Sequence, residues 1–287
     1  MAHVAGALIG PEAVRRSRSR ARRFTSRLVA LVGLYLVLAY LVLPSFWWHF
    51  EHLPAMEPLP KTTLAPDGLP GDPLNVALVG SEADVLGAFA ATPWRPADPI
   101  TLGSALAIAR GVVFDRPDPD APVSELLLFG RRQDLAFEKT VGGSPRRRHH
   151  VRFWQTDVHA EGERPVWMGA ATFDRGVGLS HTTGQITHHI APDVDDERDA
   201  LMDDLEVAGR MTALFHVTGV GPTLNGRNGG GDRWFTDGEL AVGVLAPAGG
   251  AGVVPVRVLP SPAPVEIKNQ FWAWIRPVLA TDDDEAR

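Results

Sequence analysis

Read for hydrophobic periodicity, the chain opens on one long apolar run. Residues 28–43 (LVALVGLYLVLAYLVL) carry no charge, and residues 44–48 (PSFWW) extend the run to about the 20 residues that a bilayer core requires. Tyrosine and tryptophan mark interfacial depth, and no small-residue A-x-A cleavage site follows. The pattern predicts a transmembrane helix over 28–48, preceded by an arginine-rich tail over 1–27. Residues 49–72 are rich in proline and lack apolar periodicity, so they read as an extended tether.

From residue 73 the pattern becomes that of a folded domain. Residues 73–80 (PLNVALVG) read as a buried strand, and Ser81 to Asp84 (SEAD) as an N-cap opening a helix to about Ala91. A second helical stretch is expected over 102–112, and strands over 124–130 and 135–138, joined by Arg131, Arg132, Gln133 and Asp134. Further strands are expected over 166–173, 187–190, 211–218 and 234–245, and a helix after the acidic run DVDDERDALMDD at 193–204. Acids at a helix N-terminus offset its dipole, which gives that run a structural role; it lacks the spacing and glycine of a calcium loop. Residues 247–264 read as linker, and KNQFWAWIRPVL at 268–279 as an aromatic helix that lies at a membrane interface or docks on the domain.

Charge sharpens the topology. Arg15, Arg16, Arg18, Arg20, Arg22, Arg23 and Arg27 precede the apolar run, so the positive-inside rule puts the N-terminus in the cytoplasm and the main domain outside. Setting these seven aside from the 28 basic residues leaves 21 against 34 acids, a balance of -13 that excludes nucleic acid as a partner of the domain. The absence of cysteine excludes disulfides, thiolate zinc sites, iron–sulfur ligation and a thiol nucleophile. Lysine occurs only at 61, 139 and 268, so positive charge is almost wholly guanidinium, suited to bidentate recognition of carboxylate or phosphate.

The densest chemistry is SPRRRHHVRFW at 144–154, turned in by Gly142 and Gly143. On a strand, His149 and Arg147 share a face with Val151 and Phe153, while Arg146, Arg148, His150 and Arg152 point to the other. His149 is therefore expected at the core edge and His150 toward solvent. Three further patches are companions: RRQD at 131–134, TFDRG at 172–176 and HTTGQITHH at 181–189, in which His188 and His189 project oppositely. Neighbouring strands lie about 4.8 Å apart, so His149, His188 and Asp174 would converge if their strands pair. Converged, they would suit acid–base chemistry on a phosphoester or weak metal ligation. The guanidinium and imidazole set Arg131, Arg132, Arg146, Arg147, Arg148, His150, Arg175 and His189 would suit an anion, and a network that only orders strand ends is the third reading.

At these residues the chain also resembles the LssY C-terminal domain family. The likeness rests on LFGRRQDLAFEK, SPRRRHHVRFW, MGAATFDRGVGLS and GQITHHIAPDVDDERDALMDDL, and covers about residues 73–218. The resemblance implies an envelope setting and a domain without an established catalytic mechanism. Some members carry multi-pass membrane portions similar to lipid phosphatases and small integral membrane transporters; one span is expected here, so neither activity carries over.

The expected fold is α+β: a mostly antiparallel β-sheet domain over 73–246 with about three helices, behind one transmembrane helix, with linker and aromatic helix over 247–287. The expected function is that of a single-pass, plasma-membrane-anchored, extracytoplasmic domain binding a phosphorylated lipid head group or envelope glycan. Other membrane proteins are further candidate partners. The alternatives are a metal- or His-dependent phosphoester hydrolase and a purely structural or interaction domain; no pattern specifies a cofactor.

Overall fold

A computed structural model describes residues 11–52, 58–97, 126–142, 144–182, 184, 186–219, 225–250 and 255–284. The helix expected over 102–112 lies outside them. The chain divides into two compact units, Met1–His52 and Leu53–Arg287.

The first unit is helical: α1 (Pro11–Val37), a π-helical turn (Leu38–Val42) and α2 (Leu43–Glu51). The turn has a local cause. Pro44 has no N–H to donate to the Tyr40 carbonyl, and its ring crowds that carbonyl. The ladder widens just before it, so that the Leu43 N–H reaches the Leu38 carbonyl. Residues Arg22–Glu51 form a 30-residue helix whose apolar stretch has a mean hydropathy of 2.3. At 1.5 Å per residue it is about 45 Å long, enough to cross a hydrocarbon core of about 30 Å. This is consistent with membrane anchoring.

The second unit contains, in order, β1 (Thr62–Leu64), β2 (Pro70–Pro73), β3 (Val76–Val79), α3 (Glu82–Ala90), β4 (Arg95–Pro96), β5 (Leu127–Leu128), β6 (Arg131–Arg132), β7 (Leu135–Val141), β8 (Ser144–Ala160) and β9 (Arg164–Leu179). There follow β10 (Ile186–Ile190), α4 (Val194–Val207), β11 (Met211–Thr218), β12 (Asn225–Arg227), β13 (Arg233–Phe235), β14 (Glu239–Leu245), β15 (Arg257–Val258) and α5 (Ala263–Asp284). The fold is α+β with antiparallel-rich sheets, as expected. A nine-stranded sheet runs β15-β11-β14-β3-β9-β8-β7-β4, with β10 paired to β9. Only the β3–β14 and β11–β15 pairs are parallel among the described strands.

The sheet is covered on both faces. Val76, Leu78, Val151, Phe153 and Trp167 point to one face and pack with Val85 and Phe89 of α3 and Leu201 and Leu205 of α4. Alternate residues Ala77, Val79, Trp154, Met168 and Ala170 point to the other and pack with Leu126 and Leu128 beside a four-stranded sheet, β2-β1-β5-β6. Each fully buried large apolar side chain contributes about 1.5–3 kcal/mol. Helix α3 starts as its sequence requires: Ser81 and Asp84 form a reciprocal capping box.

Three expectations change. Residues 62–73 were expected as tether up to residue 72, but Thr62–Leu64 and Pro70–Pro73 are strands, with Thr63 and Asp72 buried. Proline is tolerated there because β2 is an edge strand and loses no ladder donor. The connection expected at 131–134 begins with β6. The turn before it is Phe129–Gly130, both at positive φ (53° and 71°), the geometry of a tight hairpin. Finally, β15 falls within the expected linker, and α5 docks on the domain: Lys268 Nζ donates to Glu239 Oε1 (2.7 Å) and Trp272 Nε1 to Asp195 Oδ2 (3.1 Å).

Candidate functional site

Strands β8 and β9 are long enough to run past β3 on the sheet, and their far halves carry the polar chemistry. Residues 166–169 of β9 pair with β3, whereas residues 174–179 pair with β10. On β8 the alternation sends Arg148, His150 and Arg152 to the face that carries Trp154. The ladder sets Arg148 opposite Asp174, and His150 opposite Thr172. The apolar face thus becomes a buried polar row along the same strands.

That row is paired throughout. Arg148 Nη1 lies 3.0 Å from Glu138 Oε2, and its Nε 3.1 Å from Asp174 Oδ2. Arg152 Nη1 lies 3.0 Å from Asp72 Oδ2. His150 Nδ1 lies 3.3 Å from Asp174 Oδ2, and its Nε2 2.6 Å from the Thr172 hydroxyl. Burial pushes the His150 imidazole down, but the charge of Asp174 and the hydrogen-bonding carboxylates of Asp174 and Asp72 together outweigh it and hold the group above its ordinary pKa. Burial would likewise raise Asp174, but the neighbouring His150 and His188, with Arg148, hold its carboxyl well below the usual range. Glu138 moves up, because its burial outweighs Arg148.

The expectation that His150 faces solvent is therefore overturned: it is 3% exposed. The second layer roofs this face, and three carboxylates stand in for the water that the cations would otherwise need.

The row forms the floor of a cleft of about 290 Å³. Its walls are the β1–β2 connection, Ser180, the β10 residues Thr187 and His188, and the loop Asn228–Gly230. Asp174 lines this cleft, and its Oδ1 is buried without a hydrogen-bond partner. A held carboxylate with one oxygen unused by the protein, beside two imidazoles and two guanidiniums, has an acceptor position left for a hydroxyl.

The residues expected from sequence divide between sites. His188 and Asp174 come together in the cleft. His149 does not join them. It pairs with Phe173, one register step from Asp174, and so sits on the helix-covered face. There its Nδ1 lies 2.6 Å from Glu197 Oε2 of α4, and its ring lies 4.9 Å from that of Phe173. Burial raises Glu197 despite that partner. Arg148 and His150 are on the cleft floor, whereas Arg147 is exposed with its guanidinium 5.8 Å over the Phe173 ring. Arg131 pairs with Asp134, and Arg132 is exposed on β6. Arg175 is half-buried beyond Asp174, and the side chain of Arg146 lies outside the described residues. His189 turns away from His188 to Asp232, Nδ1 to Oδ1 at 2.7 Å.

Sequence reasoning missed Asp72, Glu138, Arg152, Thr172 and Asp232 as site residues. Period-two alternation already put Arg152 on the face of Arg148 and His150. No local signal singles out Asp72 among the prolines around it. Several acids of the 193–204 run are committed to structure: Asp193 accepts from the Asp195 and Asp196 amides as an N-cap, and Arg198 pairs with Asp195 and Asp199.

A family model described as the LssY C-terminus matches residues 56–240, so the match includes the β1–β2 hairpin that supplies Asp72. No curated protein and no solved structure matches the chain.

Proposed function

The chain belongs to the LssY C-terminus family, and from that premise we propose that its α+β domain is an extracytoplasmic envelope module. In this reading it is anchored in the plasma membrane by one span, and its cleft binds a hydroxyl-bearing anionic ligand. The chemistry is shared by phosphorylated lipid head groups and phosphorylated glycans. The observation that carries the reading is the buried row Arg148, His150 and Arg152 under an open cleft, next to a carboxylate with an unused oxygen. In this reading Arg148, His150 and Arg152 share their present carboxylate partners with an anionic group entering the cleft, while Asp174 accepts from a hydroxyl. The arginine-rich segment before the span supports the orientation.

The test uses the full chain in lipid nanodiscs, titrated with inorganic phosphate, glycerol phosphate and a hexose phosphate, and floated with vesicles of anionic or zwitterionic lipid. Expected is saturable binding that Arg152→Gln and Asp174→Asn each weaken by about tenfold or more, consistent with charge-assisted hydrogen bonds of about 1.5–3 kcal/mol. Binding of the soluble phosphates points to a glycan-type source, and binding of anionic vesicles alone to a lipid. Absence of saturable binding to every probe, or equal binding by both variants, overturns the proposal. A reporter fused after Arg287 that is active only in the cytoplasm overturns the orientation.

A second reading is favoured by Asp174 specifically. With its pKa held low, Asp174 is a weak base itself, and in this reading it orients the neighbouring His188 imidazole, which takes the proton from water attacking a phosphoester. Turnover of phosphomonoesters or diesters that Asp174→Asn abolishes would establish it; turnover unchanged in that variant would remove it.

A further inference from the structure

We propose that His181, His189 and Asp232 form a binding site for a divalent first-row transition ion with the coordination chemistry of zinc, and that the ion fastens the Asn228–Asp232 loop to the β9–β10 connection. The site is distinct from the cleft floor, and the proposal holds whether or not the cleft binds an anion.

The three residues each offer one ligand atom, and these atoms lie within 4.8 Å of one another. Zinc bonds imidazole nitrogen at about 2.0–2.1 Å and carboxylate oxygen at about 2.0–2.2 Å, so ligands on one ion stand up to about 4 Å apart. Closing the set therefore needs a shift of about 1 Å, which the exposed His181 side chain can supply. The other two are already held. The Asp232 side chain is buried: Oδ1 lies 2.7 Å from His189 Nδ1, Oδ2 accepts from the Ile190 amide at 3.3 Å, and the Asp232 amide donates to Asn228 Oδ1 at 3.0 Å.

The ring of His189 has one nitrogen to offer. A Cβ placed on Gly178 would stand 2.6 Å from His189 Nε2, so that edge is pressed against β9 and Nδ1 is the coordinating atom. With no ion, the short Nδ1–Oδ1 contact is an imidazole N–H donating to the carboxylate. With an ion, the metal takes the place of that proton: a neutral ring then carries its proton on Nε2 instead, and a doubly protonated ring loses the Nδ1 proton to solvent. Two imidazoles, one carboxylate and a water complete a tetrahedral set without the thiolates that this chain lacks.

The backbone is shaped for the approach. The His181 amide donates to the Gly230 carbonyl at 2.8 Å, and Gly231 adopts φ +89° with its missing Cβ 2.7 Å from His181 Cβ. Only glycine allows the loop to lie this close to His181. Because Gly229, Gly230 and Ser180 also line the cleft, the ion would order one of its walls.

The experiment is zinc and cobalt titration of the full chain in detergent, with metal content measured after removal of free ion. Alongside it, the Asn225–Asp232 amides are followed by hydrogen exchange. Expected are one equivalent per chain, slowed exchange of the loop on loading, and affinity at least about tenfold weaker in both His181→Ala and Asp232→Asn. His181 is exposed, so its alanine variant tests binding without removing core packing; unchanged far-ultraviolet dichroism confirms that both variants fold. His49 and His52, just past the apolar run, are the control histidine pair, and a His49→Ala/His52→Ala variant is expected to bind as the parent does. Zinc binding by His181→Ala equal to the parent, or loss of binding only in the His49/His52 variant, overturns the proposal, as does absence of stoichiometric metal.

Discussion

Arg148 Nε and Asp174 Oδ2 lie 3.1 Å apart across the β8–β9 ladder, with both side chains about 2% exposed. The same guanidinium reaches Glu138 on β7, so one buried cation serves two carboxylates on the flanking strands. Removing it takes the guanidinium from the buried Glu138 and leaves Asp174 with His150. Arg148→Met is therefore expected to destabilise the domain by about 3–5 kcal/mol, read as a lower urea midpoint at unchanged slope. A loss below about 1 kcal/mol would mean that the three strands do not depend on this cation.

The His150–Asp174 pair predicts a pH profile. Asp174 is depressed, so its contribution is complete above the ordinary carboxylate pKa of about 4 and is lost as pH falls through its lower folded value. His150 is raised, so its contribution is complete below about 6.5 and is lost as pH rises through its higher folded value. Stability measured at intervals from about pH 4 to 9 should thus fall on the alkaline side in the parent and fall less in His150→Gln. The difference between the two proteins isolates His150, because Asp193, pushed up to about 7 mainly by burial, contributes to both. Parallel profiles would reject the assignment.

His149 and His150 are neighbours in sequence and belong to different sites. His149→Ala removes the partner of the buried Glu197 and is expected to cost about 1–3 kcal/mol. Ligand affinity in the cleft should not change, because Phe173 and the sheet separate the two. A fall in affinity matching that of Asp174→Asn would show that the faces communicate.

Gly169 tests the packing that holds the β8–β9 pair to β3. A Cβ there would meet the Phe153 ring at 2.6 Å and Val76 Cγ2 at 2.7 Å, and neither buried side chain has room to yield. Gly169→Ala is expected to lower stability by about 1–3 kcal/mol through overpacking, measured by thermal or urea denaturation. Unchanged stability would show that Phe153 can adopt another rotamer.

Much of the architecture was legible locally. The apolar run, the Ser81–Asp84 capping box, strand Met211–Thr218 and the acidic start of α4 are each written in fewer than about 20 consecutive residues, the range over which periodicity and capping operate. The alternation at 147–154 also assigned each side chain to its face correctly, because strand parity is a property of the backbone.

What lay beyond reach was what covers each face and which partner meets each charge. The face of His150 reads as solvent-directed until Asp72, 80 residues from Arg152, is brought over it by a hairpin whose prolines resemble a tether. Parity could assign His149 and Asp174 to their strands but not their pairing register, and a one-residue step separates them across the sheet. Asp232 reaches His189 across 43 residues only because Gly231 lets the loop close on His181. The sequence by itself thus determined the longer locally patterned elements, the apolar run and the two-faced strands, since these follow from interactions between near neighbours. The tertiary structure decided the cleft, its paired charges and the His181–His189–Asp232 cluster, since burial and register depend on chain segments that meet only when the layers pack.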